Sequence, residues 1–95
     1  MSGENMIKIK RQTRPIGSLK KGDKVTVDGH VLEVDEHYVF VKHKDTNEMI
    51  IELFNPKTNK EYQLRYFDDQ VEETIKFYEL KVIVYEEVEL NNLEW

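Results

Sequence analysis

The chain has no cysteine, so disulfides, zinc ribbons and thiol catalysis are excluded together, and a reducing, cytoplasmic setting is the expectation. It has no alanine either, the best helix former, while Val, Ile and Thr supply 22 of the 95 residues and aromatics another 10. Counting alone therefore favours strands over helices. No apolar run approaches the roughly 18 residues of a membrane-spanning helix, so no membrane partner is expected. The opening Met1-Ser2-Gly3-Glu4-Asn5-Met6 lacks a positive-then-apolar export signal. Serine is scarce as well: Ser2 and Ser18 leave little for a serine-histidine-acid arrangement. The four glycines form no phosphate-cradling pattern.

What is present is charge, at 35% of residues, beside 39% apolar residues. That is the composition of one soluble globular domain, since 95 residues leave no room for a second core of useful size. The net charge of −5 is unevenly spread. Residues 1–24 carry seven basic side chains against two acidic ones, and residues 25–95 carry seven basic against seventeen acidic. A basic arm on an acidic body implies either a charged partner for the arm or docking of the arm onto its own domain.

Along the chain, Ile7-Lys8-Ile9-Lys10 alternates as an edge strand or ordered arm, and Arg14-Pro15-Ile16-Gly17-Ser18 breaks it. Lys24–Val27 alternates as a strand, Asp28-Gly29 is a hairpin turn, and His30 to Asp35 returns. Tyr38–Val41, Met49–Phe54 and Glu61–Tyr66 read as further strands, divided by turns at 44–47 and 55–60. In the last of them Tyr62, Leu64 and Tyr66 share one face. Asp68-Asp69-Gln70 is a connection, with a helical turn within 68–76 as its alternative. A single long strand is expected from Ile75 to Tyr85, and residues 89–95 read as an acidic tail. The organisation is thus a basic arm over 1–15, a barrel over 16–88 and the tail. Strands recurring every ten or so residues describe an all-β antiparallel meander that closes into a small barrel.

His30, His37 and His43 are the metal candidates. On one continuous strand His37 and His43 would share a face but lie roughly 20 Å apart, so all three are expected as surface histidines, with no metal and no cofactor. Asp68-Asp69 and Glu72-Glu73 read as solvated carboxylates rather than an acid–base pair, and no enzymatic activity is expected. The sharper signal is cationic. Lys8, Lys10, Arg11 and Arg14 lie within seven residues, followed by Lys20, Lys21 and Lys24, a pattern that meets nucleic-acid phosphate or forms a solvated face. Tyr38 and Phe40 beside Lys42 make either a base-stacking platform or ordinary core.

The run Ser18-Leu19-Lys20-Lys21-Gly22-Asp23-Lys24-Val25-Thr26-Val27-Asp28-Gly29 resembles the opening of the N-terminal domain of the elongation factor P and initiation factor five-A family. Phe54 to Lys60 and Gln70-Val71-Glu72 fall where that family has a threonine-bearing hairpin and a valine before its last strand, so the resemblance spans about residues 16–86. It implies an SH3-like barrel and a translation-factor role, with the ribosome or RNA as partner. The binding residues would be Lys8, Lys10, Arg11, Arg14, Lys20, Lys21 and Lys24, joined by Lys42 and Lys44 at a hairpin tip. The family's glycine-flanked modified lysine has no counterpart in the glycine-free segment 41–48, and its OB domain would lie beyond Trp95. The alternative is a protein-interaction or structural module on the same barrel, with arm and tail meeting another protein or a second copy adding a strand at an open edge.

Overall fold

The computed structural model describes residues 8–11 and 14–95, the side chains of Lys8, Lys10 and Arg11 excepted. The chain is all-β, a curled antiparallel meander forming a small barrel that is left half open. Among the described residues eight strands form one sheet in the order β1-β8-β2-β3-β4-β5-β6-β7. No helix among the described residues is long and apolar enough to cross a membrane.

β2 (Lys24–Val27) puts Val25 and Val27 inward by strict alternation. Asp28 and Gly29 then adopt positive φ, 48° and 86°, as a two-residue hairpin turn requires. β3 runs without interruption from His30 to Lys42, where two separate strands were expected. Its continuity rests on two register irregularities against β4 (Asn47–Phe54), one between Val34 and Glu36 and one between Val39 and Val41. Each leaves an extra residue on β3, which bends the strand and tightens its twist. The acidic break at Asp35-Glu36 is thus a bend within one strand.

β5 (Glu61–Phe67) follows with Leu64 and Tyr66 buried. A single helical turn, α1 (Val71–Thr74), then forms inside the 68–76 window where a helical turn was the alternative to a connection. The Phe67 N–H donates to the Thr74 hydroxyl at 2.9 Å, and that hydroxyl donates to the Gln70 carbonyl at 2.7 Å.

The expected long strand over 75–85 is two strands. β6 (Lys76–Lys81) and β7 (Val84–Val88) pair antiparallel around Val82-Ile83. Neither residue is turn-forming, which hides the hairpin from sequence reading. Val82 sits at φ 45°, a left-handed conformation that costs a β-branched residue of order 1–3 kcal/mol and persists only where the flanking pairing imposes it.

Residues 89–95 cross to the other edge of the sheet rather than trailing away. β8 (Asn92–Glu94) pairs antiparallel with β2 and parallel with β1 (Lys8–Arg11). Asp28 anchors this return. Its carboxylate accepts the Asn92 N–H at 2.7 Å and the Asn91 N–H at 3.2 Å, and its own N–H donates to the Asn92 carbonyl at 2.9 Å. Leu93 completes a core formed by the inward residues of β2–β6 and closed by Ile16, Leu19 and Ile75. The short 3-10 segment Ile16–Ser18 carries Ile16 into that core. The Trp95 indole N–H donates to the Arg14 carbonyl at 2.6 Å, tying the end of the chain to the start of the barrel.

Candidate interaction surface

Four of the cations expected to meet RNA are held by carboxylates of the same chain. Arg14 lies 2.7 Å from Asp23, Lys20 3.7 Å from Asp23, Lys24 3.3 Å from Glu33 and Lys21 4.0 Å from Asp35. Two of these pairs, those to Asp23, lie within the basic segment itself, and Lys21 and Lys24 reach the acidic residues Asp35 and Glu33 of β3. Each exposed pair is worth about 0–1 kcal/mol, so the pairs shape the surface potential more than they stabilise the fold. The side chains of Lys8, Lys10 and Arg11 lie outside the described residues. Lys42 and Lys44 are exposed at the β3–β4 tip and form no ion pair among the described residues.

That tip is fastened from below by acids. Asp68 accepts the Asn47 backbone N–H at 3.1 Å, the Asn47 side-chain amide at 3.0 Å and, at 2.8 Å, the Thr46 hydroxyl. These donors, the Asn47 N–H foremost, hold the Asp68 carboxyl below its ordinary 3.8. Asp23 is held down likewise by the Lys20 N–H first, then by Arg14, against an opposing effect of burial. A depressed folded pKa means the unfolded chain binds protons more readily. The stability these carboxylates contribute is therefore complete above the ordinary value and lost as pH falls through their folded values. Below about pH 4 the urea midpoint of the native chain is expected to fall more steeply than that of Asp68→Asn. Parallel profiles would show that Asp68 carries none of the acid sensitivity.

The histidines divide. His37 is not a surface residue but a half-buried brace between three elements. Its Nδ1 is 2.7 Å from the Leu19 carbonyl and its Nε2 2.7 Å from the Tyr66 hydroxyl. A carbonyl only accepts, so Nδ1 carries a proton and donates to Leu19, while the Tyr66 hydroxyl, which can donate or accept, pairs with Nε2. Burial, with Asp68 nearby, pushes Tyr66 up to about 12, so this hydroxyl keeps its proton. His43 lies beyond the end of β3 against Phe67, with ring centroids 5.5 Å apart, and His30 is exposed.

The face of the sheet turned away from the core carries the more organised surface. Register places Tyr38 opposite Ile50, Ile50 opposite Arg65, Glu52 opposite Gln63 and Gln63 opposite Tyr78. Ile50 is 2% exposed and Gln63 5%, although neither belongs to the main core. They lie under a layer of larger side chains. The Tyr38 hydroxyl donates to Glu52 Oε2 at 2.8 Å, the Gln63 amide approaches the same oxygen at 3.5 Å, and Arg65 Nε donates to Gln63 Oε1 at 2.9 Å. The Arg65 guanidinium lies over the Tyr78 ring at 4.1 Å and the Phe40 ring at 5.5 Å, a stacking that adds about 0.5–2 kcal/mol where partly desolvated.

The expected platform of Tyr38, Phe40 and Lys42 is changed in one member. The register shift between Val39 and Val41 puts Lys42 opposite Asn47, on the opposite parity from Tyr38. The cation beside the aromatics is Arg65. Arg65, Gln63 and Glu52 escaped sequence reading because the polar alternation of β5 and β4 looks like a solvated face. The signal that could have found them is aromatic residues on both faces of one strand pair, Tyr62 inward and Tyr78 outward.

The field on this face is negative. Burial, the Glu52 hydrogen bond and the charge of Glu36 raise Tyr38 to about 12. Burial, then Glu52 and Glu61, raise Tyr85. The carboxylates of Glu36, Glu52 and Glu61 near these rings also repel phosphate. No family model, curated protein or solved structure matches the chain.

Proposed function

We propose that this chain is a protein-interaction module whose outer face receives a positively charged segment of a partner protein. The observation that carries this reading is the Tyr38–Glu52–Gln63–Arg65 layer, which presents aromatic surface, including half-exposed Phe40, within an acidic field. Aromatic rings beside carboxylates suit Lys and Arg side chains, as the seat of Arg65 between Phe40 and Tyr78 illustrates. The intramolecular pairing of Arg14, Lys20, Lys21 and Lys24 points the same way, since the paired carboxylates offset part of the charge a phosphate backbone would meet.

A second reading, binding of RNA or the ribosome as a translation-factor-like module, is favoured by Lys42 and Lys44. They stand exposed beside Phe40 and Val41, without ion pairs among the described residues, and the family resemblance supports that role. A photo-crosslinker at position 40 (Phe40→p-benzoylphenylalanine), activated in the host cell, separates the two. Protease-sensitive, RNase-resistant products are expected. Products that collapse on RNase treatment, with salt-sensitive co-sedimentation with ribosomes, would replace the protein-binding reading by the second.

A further inference from the structure

The sheet stops at β7. In a two-residue hairpin the pair flanking the turn, here Lys81 and Val84, is the hydrogen-bonded one. The pairs Glu79–Glu86 and Phe77–Val88 follow in the same phase. Tyr85 and Glu87 therefore direct their N–H and C=O groups away from β6, toward solvent. Such a row is a template for another strand unless something blunts it.

What lies along this edge selects rather than blocks. Glu86 and Glu87 are exposed and form no ion pair among the described residues. Lys60 and Lys81 are both committed to Glu79, at 3.8 and 3.3 Å, and Lys76, diagonal to Glu87 across the β6–β7 pair, forms no ion pair with it. A second copy of β7 is a poor occupant. Antiparallel self-pairing centred on Glu86 would set Glu86 against itself, and like charges directly opposite are destabilising. Self-pairing centred on Tyr85 would set Glu86 against Val84 and Glu87 against Ile83 and leave both carboxylates without a cation. A strand bearing Lys or Arg reverses that sign. At the turn end of the same edge, Val82 is 96% and Ile83 85% exposed, an apolar step on which a partner side chain can rest.

We infer that β7 is a strand-addition site for an extended basic segment of a partner protein, with cations against Glu86 and Glu87 and an apolar residue against Val82-Ile83. Main-chain pairing to Tyr85 and Glu87 supplies affinity and the side chains supply selectivity. This rests on the protein-binding reading above and names the chemistry of its partner.

The probe is an acetylated eight-residue peptide of valine and threonine with two adjacent lysines at its centre, titrated into the full chain and followed by amide NMR. The two lysines fall on opposite faces of a strand, as Glu86 and Glu87 do. Shifts and slowed hydrogen exchange are expected at the Tyr85 and Glu87 amides. Affinity should fall at least tenfold when Glu86→Lys and Glu87→Lys are combined, and that variant should instead take up the same peptide with its two lysines replaced by glutamate. A peptide N-methylated on its pairing amides should also lose at least tenfold. Equal binding of the methylated peptide, perturbation centred away from β7, or self-association of the unliganded chain through β7 in sedimentation would each overturn the inference. Protein crosslinks at position 40 with no peptide pairing at β7 would remove strand addition alone. RNase-sensitive crosslinks would remove the reading beneath it.

Discussion

Replacing Leu93 by alanine is expected to lower the unfolding free energy by about 3 kcal/mol, within the range for large-to-small core substitutions. Leu93 is fully buried in a three-residue strand that joins β1 to β2, so its side chain both fills the core and seats β8. For a domain of this size a loss on that scale is a large share of the total. Because β1 pairs only with β8 in the sheet order, slow-exchanging amides should disappear from β8 and β1 before those of β3–β5. Urea unfolding and native-state hydrogen exchange measure both. A loss below about 1 kcal/mol, the scale of a surface change, would mean that the C-terminal strand is dispensable to the core.

The second large effect lies on the opposite face of the sheet. Ile50→Ala is expected to cost about 2–3 kcal/mol, a core-like value. A residue on a merely solvated face would cost less than about 0.5 kcal/mol. The difference arises because Ile50 stands between Tyr38 and Arg65 in the register and is as inaccessible as most of the main core. Deleting its side chain leaves a void under rings that pack over it and loosens the Arg65 seat. The thermal midpoint and the near-ultraviolet dichroism of the tyrosines should therefore change together. A stability loss with an unchanged aromatic signal would detach Ile50 from the layer above it.

The two substitutions also mark where sequence reasoning was strong and where it stopped. The meander from β2 to β5 was legible because alternation and turn chemistry agree there. Val25 and Val27 precede Asp28-Gly29, and Tyr62, Leu64 and Tyr66 follow the Asn55–Lys60 turn. The hairpin at Val82-Ile83 was not legible, since two β-branched residues in a turn contradict local preference and are held there by the pairing on either side. The continuity of β3 was hidden similarly, because a bulge at an acidic residue looks in sequence like the end of a strand. Residues 89–95 looked like a tail because Leu90, Leu93 and Trp95 are spaced by three and then two, which follows neither a strand nor a helix period. Their partners are the Asp28 carboxylate and the β2 edge, more than sixty residues earlier.

The candidate surface follows the same division. Tyr38 and Phe40 could be named as an exposed aromatic pair from spacing, and the cationic residues could be named from charge. Which cation stands beside the aromatics depends on strand register, because a one-residue shift sends every later side chain to the other face. Whether the basic segment is free depends on which carboxylates the fold brings against it. Composition and alternation, being local, sufficed for an all-β meander with strands β2, β4 and β5 close to their observed bounds. The half-open closure, the Arg65 layer, the pairing of Arg14, Lys20, Lys21 and Lys24, and the bare β7 edge arise from contacts between residues far apart in the chain. Those contacts exist only once the sheet has curled.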